Sequence, residues 1–208
     1  MITKKLFLLF LLPALCFSCN RQPGNAGLQS LESLIFAIEA EITANAKYLY
    51  YAEQALADSQ PQIALLFEAA AVSEKAHADR QITMLLSHGG TLGKIRPDFP
   101  GGEITDNLQN AIETETYEVL DMYPRFIGIS RSEKLPEVTE TFEWALKAEE
   151  KHRDLFSMAL ASLENPGISL AEAYVVCPRC GNTMDAAHQS DPCDICGNEA
   201  SKYILIGQ

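Results

Sequence analysis

The sequence predicts a mainly α fold, a four-helix bundle followed by a small β/knuckle module organised around metal. Four long stretches carry apolar residues in helical spacing, Pro and Gly mark the connections between them, and two CxxC pairs stand near the C-terminal end. At 208 residues and 47% hydrophobic content, the chain can build one full domain and a small extra one. Lys and Arg total 16 against 28 Asp and Glu, a net charge of -12. That balance argues against nucleic acid and anionic membrane surfaces as partners, and leaves acidic groups available to hold cations.

Residues 1–19 read as a targeting signal. Lys4 and Lys5 precede a short apolar run, Leu6 to Leu15, which Pro13 interrupts and which is too short to span a bilayer. Cys16 and Ser18 put small residues at the -3 and -1 positions ahead of Cys19. The arrangement resembles a bacterial lipoprotein signal with Cys19 lipidated, although Leu or Val usually stands where Cys16 does. An ordinary signal peptide cut at about the same place is the alternative. If used, the signal implies an exported protein, held to the membrane only by a lipid anchor and facing the periplasm or cell surface. If unused, the protein is cytoplasmic. The polar stretch 20–27 then forms a tether.

The bundle is expected over 28–168. Leu31, Leu34, Ile35, Ile38 and Ile42 mark a first helix from about Leu28 to Ser59. Pro61 suits the first turn of a second, which runs to about His88 and stops at Gly89 and Gly90. Gly93, Pro97, Pro100, Gly101 and Gly102 make 91–104 a loop. Thr105 or Asp106 is expected to cap a third helix that continues to about Ser132 and bends at Pro124. The fourth runs from Pro136 to Glu164, ended by Pro166 and Gly167. Short links make the first and second helices antiparallel neighbours, and likewise the third and fourth. The middle loop can stretch to roughly 46 Å, and a helix of about 27 residues is roughly 40 Å long. The loop can therefore run the length of the bundle.

Each helix carries acidic residues near its middle: Glu41, then Glu74 with His77, then Glu115 with Glu118, then Glu149 with His152. Residues three apart share a helix face, and these faces are otherwise apolar, with Phe142, Leu146, Phe156 and Leu160 around Glu149. Carboxylates gathered in a core repel strongly without cations. One ExxH on a helix is ordinarily a solvated face. Two of them, with Glu on both remaining helices, match the ligand set of ferritin-like di-iron bundles. Hard oxygen donors with some imidazole suit iron.

Cys177-Pro-Arg-Cys180-Gly and Cys193-Asp-Ile-Cys196-Gly form two knuckles within 169–208, a spacing that demands a tetrahedral tetrathiolate site. Zinc is the general default there. Tyr174 and Val176 before the site, with Tyr203, Ile204 and Leu205 after it, read as short strands. His88 reads as a surface residue at a helix end and His188 as part of the polar loop between the knuckles.

Together these motifs resemble rubrerythrins over nearly all of 28–208. The resemblance rests on Glu41-Ile-Thr-Ala-Asn-Ala-Lys-Tyr48, Glu74-Lys-Ala-His77, Glu115-Thr-Tyr-Glu118 with Met122-Tyr123-Pro124, and Glu149-Glu-Lys-His152. The additional Glu118 is its most specific feature. The resemblance implies that Glu74 and Glu149 bridge two irons, with Glu41 terminal on one and Glu115 and His152 on the other. His77 and Glu118 then compete for the first iron as the redox state changes. Tyr48 and Tyr123 become candidate donors to ligand carboxylates, a role that ordinary core tyrosines resemble closely in sequence. The four-cysteine site becomes a rubredoxin-like iron that cycles by one electron. The implied activity is reduction of hydrogen peroxide to water, fed by an external donor such as rubredoxin or an NAD(P)H-linked reductase. The implied assembly is a homodimer with one subunit's cysteine site near the other's iron pair. Two alternatives stand beside it: a ferritin-like ferroxidase that takes ferrous iron as substrate, and a non-redox zinc-ribbon interaction protein.

Overall fold

The computed structural model describes residues 27–207; the signal, Cys19 and most of the tether lie outside the described residues. α1 (Leu28–Ala57) and α2 (Pro61–Ser87) form a hairpin turned by Asp58, Ser59 and Gln60, with Ser59 at φ 58°. Gly27 offers no side chain to cap α1. The Glu133 carboxylate does so from another helix, accepting from the amides of Gln29 (3.3 Å) and Ser30 (2.9 Å).

The third rod has three parts: α3 (Ile104–Tyr117), a π-helical turn (Glu118–Met122) and α4 (Tyr123–Glu133). The cap expected at Thr105 or Asp106 is not the one used. α3 begins at Ile104, and Asn107 holds the incoming chain by bonding the amide and carbonyl of Gly102 at 2.9 and 3.0 Å. Where a bend is expected at Pro124, the rod carries the π turn just upstream of it. Pro124 has no N–H and its ring crowds the carbonyl of Leu120, so the turn before it widens. The widened turn lets Glu115, Glu118, Met122 and Tyr123 all be buried. α5 (Pro136–Glu164) has the extent the sequence predicts and packs on both α3 and α4.

The connection from α2 to α3 returns along the bundle. Leu92 and Ile95 pack on the core near Leu85. Farther on, Phe99 meets the rings of Tyr50 and Tyr51 at 6.0 and 6.4 Å, and the Tyr51 hydroxyl donates to the Pro100 carbonyl at 2.7 Å.

The apolar core is in two parts. One holds Tyr48, Tyr51, Phe67 and Phe156; the other holds Leu34, Ile38, Tyr123, Phe126 and Phe142. The acidic residues singled out in the sequence form the layer between them.

After α5 come β1 (Tyr174–Val176), β2 (Thr183–Asp185) and β3 (Ile204–Ile206), an antiparallel sheet in the order β2-β1-β3. β2 was not read from the sequence, and Tyr203 lies just before β3. Tyr174 and Val176 belong to the bundle's own core, so the module is docked on the helices. His88 closes α2, with Nδ1 donating to the Met84 carbonyl at 2.9 Å, and exposed His188 pairs with Asp185 at 2.9 Å. Among the described residues no helix is long and apolar enough to cross a membrane.

Candidate metal centre

All seven predicted ligands are buried, none more than 3% exposed. They gather as two overlapping groups. Glu41, Glu74, His77 and Glu149 form one, and Glu74, Glu115, Glu149 and His152 the other, with the ligand atoms of each group within 4.8 Å of one another. Glu74 and Glu149 belong to both, which is the placement of bridging carboxylates. Glu118 is buried beside them and belongs to neither group.

The donor set fits cations. Glu41 Oε2, Glu74 Oε1, Glu115 Oε2, both Glu149 oxygens and His152 Nδ1 are buried without a hydrogen-bond partner. So many carboxylates gathered in an apolar core are costly, and a shared pair of metal ions removes that cost. His77 Nδ1 lies 2.8 Å from Glu149 and 3.0 Å from Glu74, and His152 Nδ1 lies 2.7 Å from Glu149.

The outer nitrogens of both imidazoles are held by the cysteine module. His77 Nε2 is 3.0 Å from the Cys180 carbonyl, which can only accept. His152 Nε2 is 3.0 Å from Thr183 Oγ1, whose own hydrogen goes to the Gly181 carbonyl at 3.1 Å. Both rings therefore carry a hydrogen on Nε2 and turn Nδ1 to the carboxylates, the tautomer a metal needs. Tyr48 donates to Glu115 and Tyr123 to Glu41.

Gln81 was missed in the sequence. It is fully buried, four residues after His77 on the same face, and its Nε2 reaches Glu41 (3.2 Å) and the Tyr123 hydroxyl (2.9 Å). An amide at that spacing on a ligand-bearing face was the available signal. Ser73 and Gly181, which join the two units, left no signal because their role depends on docking.

Before metal enters, protons hold the layer together. Burial pushes Glu41 up to about 8 against the pull of His77. Burial would also raise Glu74, but His152 and His77 outweigh it and bring it down to about 2. Burial opposes charge on His77 and His152, yet the surrounding carboxylates hold both well above the usual histidine range. Raised groups lend stability below their unfolded pKa and lose it as pH rises through the folded value. The metal-free chain should therefore weaken as pH rises from about 4.5 to 8. Urea midpoints of metal-stripped protein at the two ends of that range check this, and a flat profile contradicts it. Metal loading displaces those protons and is favoured by rising pH.

The cysteine site is equally formed. Cys177 and Cys196 sulfurs are 3.6 Å apart, as are those of Cys180 and Cys193. Metal–sulfur bonds of about 2.3 Å in a tetrahedron put sulfurs about 3.8 Å apart. The knuckles match: Gly181 N donates to Cys177 O at 2.9 Å, and Gly197 N to Cys193 O at 2.8 Å. Hydrogen bonding with Cys180 brings the Cys177 thiol down to about 4, so a thiolate is available as ligand. Asn182 Nδ2 reaches Cys193 Sγ at 3.4 Å, while Lys151 on α5 bonds both Asn182 (2.7 Å) and Asp194 (2.9 Å).

The rubrerythrin family model matches residues 32–160. The chain belongs to the rubrerythrin family. Rubrerythrin-2 of Clostridium acetobutylicum is 34% identical over 173 residues, 80% of this chain and 91% of that protein. Rubrerythrin of Nitratidesulfovibrio vulgaris is 29% identical over 186 residues, 87% and 96% of the two chains. Among solved structures, partially reduced nigerythrin aligns with TM-score 0.76 and 27% identity, covering 85% of this chain and 86% of its own. Mycobacterium tuberculosis bacterioferritin shares the bundle fold at 20% identity and TM-score 0.62, over 67% of this chain and 89% of that one. The fold is thus a ferritin-like bundle bearing a rubredoxin-like module, in an iron-dependent oxidoreductase family. Its cofactors are a glutamate/histidine-bound pair of non-haem irons and a single iron at the four cysteines.

Proposed function

We propose that this chain reduces hydrogen peroxide to water at the Glu/His iron pair and is recharged through the cysteine-bound iron. The observation that carries this reading is the contact between the two sites. Cys180 supplies a sulfur to one site, and its carbonyl accepts from His77, whose other nitrogen faces the pair. An electron donor held this close to a two-metal site serves repeated turnover. A ferroxidase that hands its electrons to oxygen has no use for it, and neither has a zinc-ribbon adaptor. Bound iron supplies two electrons together, which carries O–O cleavage past hydroxyl radical. The residues do the rest. Glu74 and Glu149 set the spacing, Tyr48, Tyr123 and Gln81 fix the terminal carboxylates, and two apolar layers exclude bulk water.

The contact that supports this reading joins the cysteine site and the ligand cluster of the same chain. A homodimer, a rubredoxin or NAD(P)H-linked reductase as donor, and export with lipid on Cys19 are proposed on the resemblance and the signal. Anaerobically reduced, iron-loaded protein should be reoxidised by hydrogen peroxide at least about tenfold faster than by dioxygen at equal concentration. Faster reaction with dioxygen would overturn the proposal, and turnover of many added ferrous ions per site would favour the ferroxidase.

A further inference from the structure

The predicted ligands are buried, and the space between α1, α3 and the segment 98–100 reaches one of them, Glu118. A pocket of about 440 Å³ lies there. Its walls include Phe36, Ala40, Phe99 and Tyr117, and its lining reaches Lys47 and Glu118. Both of these are almost wholly buried, at 5% and 3% exposure. Glu118 is the predicted ligand that stands outside both metal groups, and it faces this pocket instead. Lys47 Nζ is held by Thr114 Oγ1 at 2.6 Å. Burial lowers the Lys47 amine below the usual lysine range, against the pull of Glu115 and Glu118. The mouth carries exposed Glu39 and Asp98, so it disfavours anions.

Hydrogen peroxide fills little of this space. Two waters' share of liquid is roughly 60 Å³, against about 440 Å³ here. Mostly apolar walls with a few converging polar groups at one end form a site for a molecule with an apolar body and a polar head. We propose that this pocket admits neutral organic hydroperoxides. The substituent lies along Phe36, Phe99 and Tyr117, and the hydroperoxide group is directed past Lys47 toward Glu118 and the pair. This rests on the peroxide-reductase reading and extends its substrate class. The O–O bond breaks, two electrons come from the reduced iron pair, two protons come from solvent, and an alcohol and a water are formed. Lys47 is a positioning residue that donates a hydrogen bond to the entering peroxide.

The test uses full-length, iron-loaded protein. Cumene hydroperoxide should reoxidise the reduced pair within about tenfold of the hydrogen peroxide rate. Thr43→Trp, on the half-buried pocket wall, should lower the cumene hydroperoxide rate at least about tenfold and the hydrogen peroxide rate by less than about threefold. Lys47→Met should slow both. A binding measurement stands apart from turnover: the product alcohol, 2-phenylpropan-2-ol, should bind the oxidised protein saturably by calorimetry and fail to bind Thr43→Trp. Ala40→Phe, on the same wall, repeats the blockade should the first variant misfold. An unchanged cumene hydroperoxide rate in the blocked variants, or an equal fall for both peroxides, overturns the proposal. If hydrogen peroxide alone outpaces dioxygen, only the organic substrate fails. If neither peroxide does, the peroxide reading itself fails, and this substrate with it.

Discussion

Replacing Gly181 with Ala should slow electron passage from the cysteine-bound iron to the pair by about a hundredfold, while the absorption of the cysteine-bound iron stays unchanged. Gly181 sits at φ 75°, in the left-handed region, directly after Cys180. A side chain there meets two obstacles. The backbone conformation costs an L residue about 1–2 kcal/mol. An added Cβ would also overlap His77 Nε2 and Ser73 Oγ, atoms of α2 that touch the knuckle. Ser73 Oγ donates to the Gly181 carbonyl at 2.6 Å, and His77 Nε2 to the neighbouring Cys180 carbonyl at 3.0 Å. Relief of the overlap must lift the knuckle from α2 and break both bonds. Gly197 supplies the control. It holds the equivalent place in the second knuckle at φ 71°, with nothing within 4 Å of an added Cβ. Gly197→Ala carries the backbone strain without the loss of docking. Stopped-flow reoxidation of fully reduced protein, followed at the cysteine-iron absorbance, should separate the two variants. Equal rates in both would remove the contact from the electron route.

The bundle's outline was legible because helix spacing and Pro/Gly punctuation are local properties. α5 begins and ends where Pro136 and Glu164 suggest, and α1 and α2 fall within two residues of expectation. The buried acidic cluster was legible because charged residues at intervals of three interrupt apolar faces, which is costly without a purpose. The features that escaped depend on tertiary context. A π turn needs the combined demands of Pro124 and of four inward-facing side chains, and no single residue announces it. The cap of α1 comes from Glu133, more than a hundred residues away in the chain. β2 is three residues long, Thr183 to Asp185, too short for periodicity to register. Docking of the module rests on Gly181, whose absent side chain reads in sequence only as a turn. Lys47 was hidden for a similar reason: beside Tyr48 it looks like a solvated residue, and only the packing of α3 against α1 buries it.

Glu149→Ala should leave the chain with its cysteine-bound iron and without the pair. Glu149 is the residue on which both metal positions converge. It belongs to both groups of ligand atoms, it is wholly buried, and neither of its oxygens has a hydrogen-bond partner. Its two oxygens face opposite imidazoles, Oε1 at 2.8 Å from His77 Nδ1 and Oε2 at 2.7 Å from His152 Nδ1. A carboxylate so placed can span two ions, and its loss leaves Glu74 as the one remaining residue shared by both groups. Removal of a supporting partner already weakens metal sites by about tenfold to a hundredfold, so loss of the bridge itself should exceed a hundredfold. Elemental analysis should find the pair missing while the red colour of the cysteine site remains. Glu118→Ala makes the opposite case. Glu118 stands outside both groups, so that variant should load the pair in the arrangement His77 completes. A Glu149→Ala protein that retains both irons, or a Glu118→Ala protein that loses them, would reverse the assignment of bridge and alternate ligand.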